Sequence, residues 1–201
     1  MLKLYLECSS VLTGFLLLNN DDLIAEASVE RHGDKLLIDV LPKTLATHGY
    51  TIEHVSEIIW GRGPGSFTGI RICATWIQAI AYVHACKVYP VCSFRARLWA
   101  YIQTLDEPKL GIINAHFKAN QAMHYSASFQ LDHQGLMLTA PISVVRKTET
   151  LESSIDLSMV SPTPTAILAL HQQDRSLDRA EPTPVTAVYP QYVFDHFKPN
   201  K

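Results

Sequence analysis

Trp60-Gly61-Arg62-Gly63-Pro64-Gly65-Ser66-Phe67-Thr68-Gly69-Ile70-Arg71 is the stretch on which the fold turns. Four glycines fall within the nine residues Gly61–Gly69. Before them, Glu57–Trp60 reads as a short buried strand; after them, an apolar run to Cys86 reads as a helix. Glycines at such a strand-to-helix junction allow positive backbone angles and close approach of other groups. The following helix N-terminus offers free amides to an anion. Known phosphate motifs do not match. No Lys-Ser or Lys-Thr follows a closing glycine as in a P-loop, and the spacing G-x-G-x-x-x-G departs from the dinucleotide fingerprint. Ser66 also lacks the flanking glycines of a nucleophile elbow. The loop therefore reads either as a structural turn or as an anion site.

Working outward, Leu2–Cys8, Val11–Leu18 and Leu23–Val29 alternate apolar and polar residues, with turn signals at Ser9-Ser10 and Asn19–Asp22. Three consecutive antiparallel strands are expected. Over Asp34–His48 the period changes, and Leu37, Leu41 and Leu45, with Leu36 and Val40 beside them, form one helical stripe that Gly49 ends. A helical turn is expected at Ile52–Ser56. Downstream, Val88–Cys92 reads as a strand, and Ser93 as the cap of a helix to about Leu105. The order strand, strand, strand, helix, strand, helix, strand, helix is that of the actin-like and ribonuclease-H-like α/β fold, with a mixed sheet and flanking helices.

Asp106-Glu107-Pro108 reads as a hinge, giving an N-terminal lobe over 1–105 and a smaller C-terminal lobe over 106–201. In the second lobe, strands are expected at Lys109–Ala115, Gln121–Gln130 and Leu136–Val145, with Asn120 in a turn. A helix is expected over Pro162–Gln173 after Ser161, then an extended tail from Pro182.

Composition narrows the function. The 201 residues are 47% hydrophobic and 18% charged, which is ordinary globular material. Apolar runs fall short of the roughly 18 residues of a membrane span, and the N-terminus lacks signal-peptide form, so a cytoplasmic location is expected. Cys8, Cys73, Cys86 and Cys92 show no metal-ligand or redox spacing and read as reduced thiols. The formal net charge is −2, and the 17 Lys and Arg form no basic stripe. Weak binding of nucleic acid by the chain alone is the consequence. The nine histidines contain neither H-x-x-x-H nor H-E-x-x-H. No catalytic set and no metal site are expected.

Gly61–Arg71, GRGPGSFTGIR, is similar to the signature of the TsaB family of tRNA threonylcarbamoyladenosine biosynthesis proteins, which are related to YeaZ and the glycoproteases. Other segments share the resemblance: Leu6-Glu7-Cys8-Ser9 where the family ends its first strand in Asp-Thr-Ser, Arg31-His32 before the first helix, Asn114-Ala115-His116 for Asp-Ala-Arg, and Pro190-Gln191-Tyr192-Val193 for the closing Pro-x-Tyr-Leu. Glu7-Cys8, Asn114 and Phe194 depart from the pattern. The resemblance implies a non-catalytic subunit that pairs with TsaD, the transferase for adenosine 37 of tRNA, and is joined by a TsaE-type ATPase. It also implies a surface that can make homodimers in isolation, no tightly bound cofactor, and room for ATP or ADP at the complex interface, with weak nucleotide binding at the loop Gly61–Gly69 left open. Actin-like kinases hold metal and phosphate at the end of the first strand, the place of Glu7, for which a structural or hydrogen-bonding role is expected.

Ile72–Cys86 carries no Asp, Glu, Lys or Arg. A helix apolar nearly all round needs cover on both sides. The sheet supplies one; the second lobe or a partner's helices supply the other. The pairing surface is accordingly expected at Leu37, Val40, Leu41, Cys73, Trp76, Ile77 and Ile80, completing a four-helix bundle with the partner's pair. The competing reading is a stand-alone actin-like ATP hydrolase or peptidase-like enzyme.

Overall fold

The computed structural model describes residues 1–149 and 153–191. Tyr192, Val193 and Phe194, and with them part of the closing motif, lie outside the described residues. Five strands form the first sheet: β1 (Leu2–Glu7), β2 (Leu12–Asn19), β3 (Asp22–Glu30), β4 (Val55–Gly61) and β5 (Lys87–Val91), in the order β3-β2-β1-β4-β5. β1, β2 and β3 pair antiparallel, whereas β4 and β5 run parallel to β1. The reason is in the connections: a four-residue turn joins β1 to β2 and a two-residue turn joins β2 to β3, and helical crossovers precede the parallel strands. β1 is buried on both faces, which explains why its alternation is filled on both sides by large side chains such as Leu4 and Tyr5.

The stripe over Asp34–His48 folds as α1 (Gly33–Lys35), a π-wound turn (Leu36–Val40) and α2 (Leu41–Thr47). Pro42 sits in the first turn of α2 and has no N–H to close a bond four residues back, so the turn before it is loosened. Gly49 ends the helix with φ of 76°. A short 3₁₀ turn, Ile52–His54, leads into β4. The glycine-rich loop then passes to α3 (Phe67–His84), and α4 (Ser93–Ile102) follows β5.

The second sheet contains β6 (Gly111–Lys118), β7 (Met123–Asp132), β8 (Gly135–Leu138), β9 (Ser143–Arg146) and β10 (Ile155–Asp156). Asn120 makes the β6–β7 turn, its Oδ1 accepting from the Ala122 and Met123 amides. The single strand expected over Leu136–Val145 is two strands, β8 and β9, which pair with opposite ends of β7. Pro141 lies between them, where a residue without an N–H cannot continue the ladder. The helix expected over Pro162–Gln173 is α5 (Pro164–Ser176), capped by Thr163, whose Oγ1 accepts from the Ala166 amide at 3.1 Å.

Two apolar cores result. One fills the space between the first sheet, α1–α2 and α3, around Leu4, Leu17, Leu41, Trp60 and Ile77. The other joins the opposite face of that sheet to α4, α5 and the second sheet, around Phe94, Phe117, Phe129 and Ile167. An Arg95–Asp174 ion pair, 2.7 and 2.8 Å, ties α4 to α5. Beyond α5 the chain crosses back. The Thr183 amide donates to the Val88 carbonyl at 2.7 Å, a 3₁₀ turn spans Val185–Ala187, and Val188 enters the first core at 1% exposure. Residues 182–191 of the tail are thus a strap across the first lobe.

Candidate functional site

The glycine-rich loop is built against the end of β1. The Ser66 amide donates to the Ser9 carbonyl at 2.6 Å, and Arg62 exchanges bonds with its neighbours: its amide donates to Val91, and its carbonyl accepts from Gln191 at 2.7 Å. A Cβ added at Gly65 would overlap Ser9, at Gly69 the Cys8 carbonyl, and at Gly61 the Glu7 carboxyl. Only Gly63 has a positive φ, 102°. Close approach, more than left-handed backbone, therefore explains the spacing. Ser66 caps α3, its Oγ accepting from the Gly69 amide at 3.3 Å. Pro64 is buried, whereas Arg62, Phe67 and Thr68 are exposed.

Ser93 is the first residue of α4 rather than its cap. Its hydroxyl accepts from the Gly63 amide at 3.0 Å, while its own amide donates to the Gly63 carbonyl at 2.9 Å. The same hydroxyl assists Glu7, whose Oε1 accepts from the Ser9 amide at 2.5 Å. Glu7 is fully buried. Burial pushes its carboxyl above the usual range, against the hydrogen bonds from Ser9 and Ser93 and the attraction of Arg97. Glu7 thus fastens loop, strand and helix together, in keeping with the hydrogen-bonding role expected of it.

A cleft of about 790 Å³ opens in front of the loop, between the lobes. One wall is the α3 N-terminus with Gly65 and Gly69; the other carries Phe117 and Lys118 of β6. Its charged lining residues are Arg31, Arg97 and Lys118 against Asp34. Arg97 is 6% exposed and lies over the Phe117 ring at 4.3 Å; its guanidinium donates to the Leu157 and Val160 carbonyls. Burial lowers its pKa to about 10, against the pull of Glu7. Sequence reasoning missed Arg97. The signal was an arginine on the face shared by Ser93, Phe94 and Ala96, all buried.

The seven residues expected at a pairing surface divide. Leu37, Leu41, Cys73 and Ile77 are at most 1% exposed, inside the chain's own first core, and cannot touch a partner. Val40, Trp76 and Ile80 are half-buried at the rim of that core. Beyond them α3 presents Tyr82 at 80% and Val83 at 69% exposure, and the π-wound turn presents Ile38 at 72%. The outer face of α3 also borders the strap: Thr75, Ala79 and Tyr82 lie across a shallow groove from Val185 and Tyr189. The Gln78 side chain donates to the Val188 carbonyl at 2.9 Å and pins the strap there.

Two five-stranded sheets with their flanking helices, and a cleft between them, define a two-lobed protein of the actin-like, ribonuclease-H-like class. The family model described as TsaD, tRNA N6-adenosine threonylcarbamoyltransferase, matches residues 25–139, more than half of the chain. The chain belongs to this family, and within it to the TsaB/YeaZ group that the Gly61–Arg71 motif resembles. A tRNA threonylcarbamoyladenosine biosynthesis protein TsaB from Haemophilus influenzae is 33% identical over 67 residues; this is 33% of the chain and 28% of that relative's length. In shape the chain is similar to YeaZ from Pseudomonas aeruginosa, with TM-score 0.77 at 18% identity, covering 95% of this chain and 99% of that one. A second Pseudomonas aeruginosa structure, described as similar to peptidase YEAZ, gives 0.78 at 20% identity over 96% and 99% of the two chains.

Proposed function

We propose that this chain is a non-catalytic subunit of the machinery that makes threonylcarbamoyladenosine in tRNA, and that it activates a TsaD-type transferase by pairing with it. The observation that carries the reading is the outer face of α3. Ile72, Trp76, Ile80 and Val83 follow one another at helical spacing and are half-buried or exposed, without an intervening charge. A monomer that leaves such a stripe open carries an aggregation liability unless a partner covers it. The partner's helices are the occupant that family membership suggests, with Val40 and Ile38 at the margin of the same surface. A TsaE-type ATPase joins the pair; tRNA is reached through the complex; and a homodimer is the form adopted when the partner is missing.

The test is reconstitution. The purified chain alone is expected to give no threonylcarbamoyl transfer to tRNA, and to restore transfer when added to the cell's TsaD-type protein, with which it elutes as one species in size-exclusion chromatography. Transfer by this chain alone would make it an enzyme and end the subunit reading.

A further inference from the structure

Residues 182–191 leave α5 and cross the first lobe fastened at three points. The Thr183 amide donates to the Val88 carbonyl at 2.7 Å, the Gln78 side chain to the Val188 carbonyl at 2.9 Å, and the Gln191 amide to the Arg62 carbonyl at 2.7 Å. Val188 is sealed in the first core, yet its neighbour Tyr189 is 63% exposed. The backbone on either side of Tyr189 is already fixed, so docking on its ring costs little further ordering. Exposed aromatic side chains held in this way are enriched among the anchors of protein interfaces.

Across from Tyr189 stands the outer crest of α3. Thr75, Ala79 and Tyr82 follow one another there at helical spacing, all three exposed. Thr75 and Ala79 are small and form the floor of a groove of about 470 Å³, with Tyr82 on one side and Val185 and Tyr189 on the other. None of the described residues lining it carries a charge. The groove is too shallow to enclose a small molecule, which needs a concave site around most of its surface. Its position on the helix is fixed by geometry. Residues 76 and 78 leave a helix about 100° to either side of residue 77. Ile77 points into the core, so the strap held by Gln78 lies along one flank of α3, and the stripe of Trp76 and Ile80 runs along the other. Ala79 sits on the crest between them.

We propose that the strap is the second bank of the pairing surface: one helix of the TsaD-type partner lies along the crest of α3, over Thr75 and Ala79, between the Trp76–Ile80 stripe and the Tyr82–Tyr189 pair. This rests on the pairing reading and goes beyond it, because that reading uses only α3 and the π-wound turn. The groove is continuous with the stripe across the crest, so a single occupant covers both flanks. Small floor residues let two helix axes approach closely. An uncharged lining calls for an uncharged row on the partner's helix, since a lone charge buried there has no counter-ion. Pairing thereby depends on residues near 189 as well as on the first lobe's own helices.

Calorimetric titration of the full chain with the cell's TsaD-type protein tests the proposal. Ala79→Arg fills the floor of the groove and is expected to weaken pairing about a hundredfold; Tyr82→Ser and Tyr189→Ser are each expected to weaken it about tenfold. All three positions are exposed, so the circular dichroism and melting temperature are expected to match the wild type, and Tyr189→Phe, which keeps the ring, is expected to pair normally. Wild-type affinity in Ala79→Arg and Tyr189→Ser, with Val83→Glu or Trp76→Glu impaired, overturns the strap's part and leaves the pairing reading standing. A wild-type chain that does not bind the TsaD-type protein overturns both. If the substitutions abolish only self-association of the chain and leave the partner's affinity unchanged, the groove belongs to a second copy and the proposal is wrong.

Discussion

At Gly69 the chain approaches itself more closely than any side chain allows. The Cys8 carbonyl occupies the space where a Cβ would stand, and a carbonyl in a backbone turn cannot swing aside as a side-chain tip can. Gly69→Val is therefore expected to push α3 off the end of β1. Overpacking of this kind costs about 1–3 kcal/mol, and for a chain of this size each kcal/mol lowers the melting temperature by roughly 2–4 °C. Thermal denaturation followed by circular dichroism measures it; a Gly69→Val protein that melts with the wild type would refute the contact as the reason for glycine. The motif was legible in sequence as a turn with close approaches, but not the partner of those approaches. Cys8 and Ser9 lie some sixty residues earlier, and only the parallel pairing of β1 with β4 brings the two together. Ser93 was misread for a related reason. Its place before an apolar run resembles a cap, yet its hydroxyl is drawn to Gly63 by tertiary structure.

Among the elements, α3 shows what periodicity decides and what it leaves open. Its helical state follows from its length and the lack of breakers, and it is present as expected. Its orientation does not follow, because Cys73-Ile77 and Trp76-Ile80 are equally apolar stripes at adjacent angles. The helix settles with Ile70, Cys73, Ala74, Ile77 and Ala81 inward, against the sheet. Two substitutions separate the faces. Ile77→Glu buries a charge with no counter-ion in a dry core, a loss of about 3–5 kcal/mol by analogy with broken buried pairs, and is expected to unfold the chain by circular dichroism. Val83→Glu is expected to leave the spectrum unchanged and to weaken co-elution with the TsaD-type partner. A folded Ile77→Glu protein would show that the inward stripe is misassigned; normal co-elution of Val83→Glu, together with equally normal co-elution of Trp76→Glu and Ile80→Glu, would remove α3 from the pairing surface.

Across the whole molecule, the lobes meet through α5, which packs on the first sheet although it belongs to the second half of the chain. His171 is the contact among these on which acid acts through a lowered pKa. It is 2% solvent-accessible, with the Tyr89 ring centroid 4.9 Å and the Tyr5 ring centroid 6.0 Å away. Burial lowers its pKa from 6.5 to about 4, with Arg175 and Lys3 adding to the shift and Asp174 opposing it. The fold therefore favours neutral His171, while the unfolded chain protonates near 6.5. Its contribution to stability is complete above pH 6.5 and declines as the pH falls toward 4. Melting temperature is expected to fall more steeply over that window in the wild type than in His171→Phe, which keeps a flat ring between the tyrosines. Parallel curves would place the acid sensitivity elsewhere. None of this was legible beforehand: nine scattered histidines gave no reason to choose one, because burial is a property of the assembled lobes.

The strap has a consequence for the order in which the molecule can be made. Val188 fills the first core, and the Gln191 amide closes on Arg62 at the mouth of the glycine-rich loop. Translation delivers β1 long before these residues, so the first lobe emerges from the ribosome well ahead of the segment that completes it. Until the strap arrives, Val88 and Gln78 of a nascent first lobe have neither of the backbone partners they hold in the finished one. A nascent chain stalled before residue 183 leaves that lobe with an unfilled core and an open edge at β5.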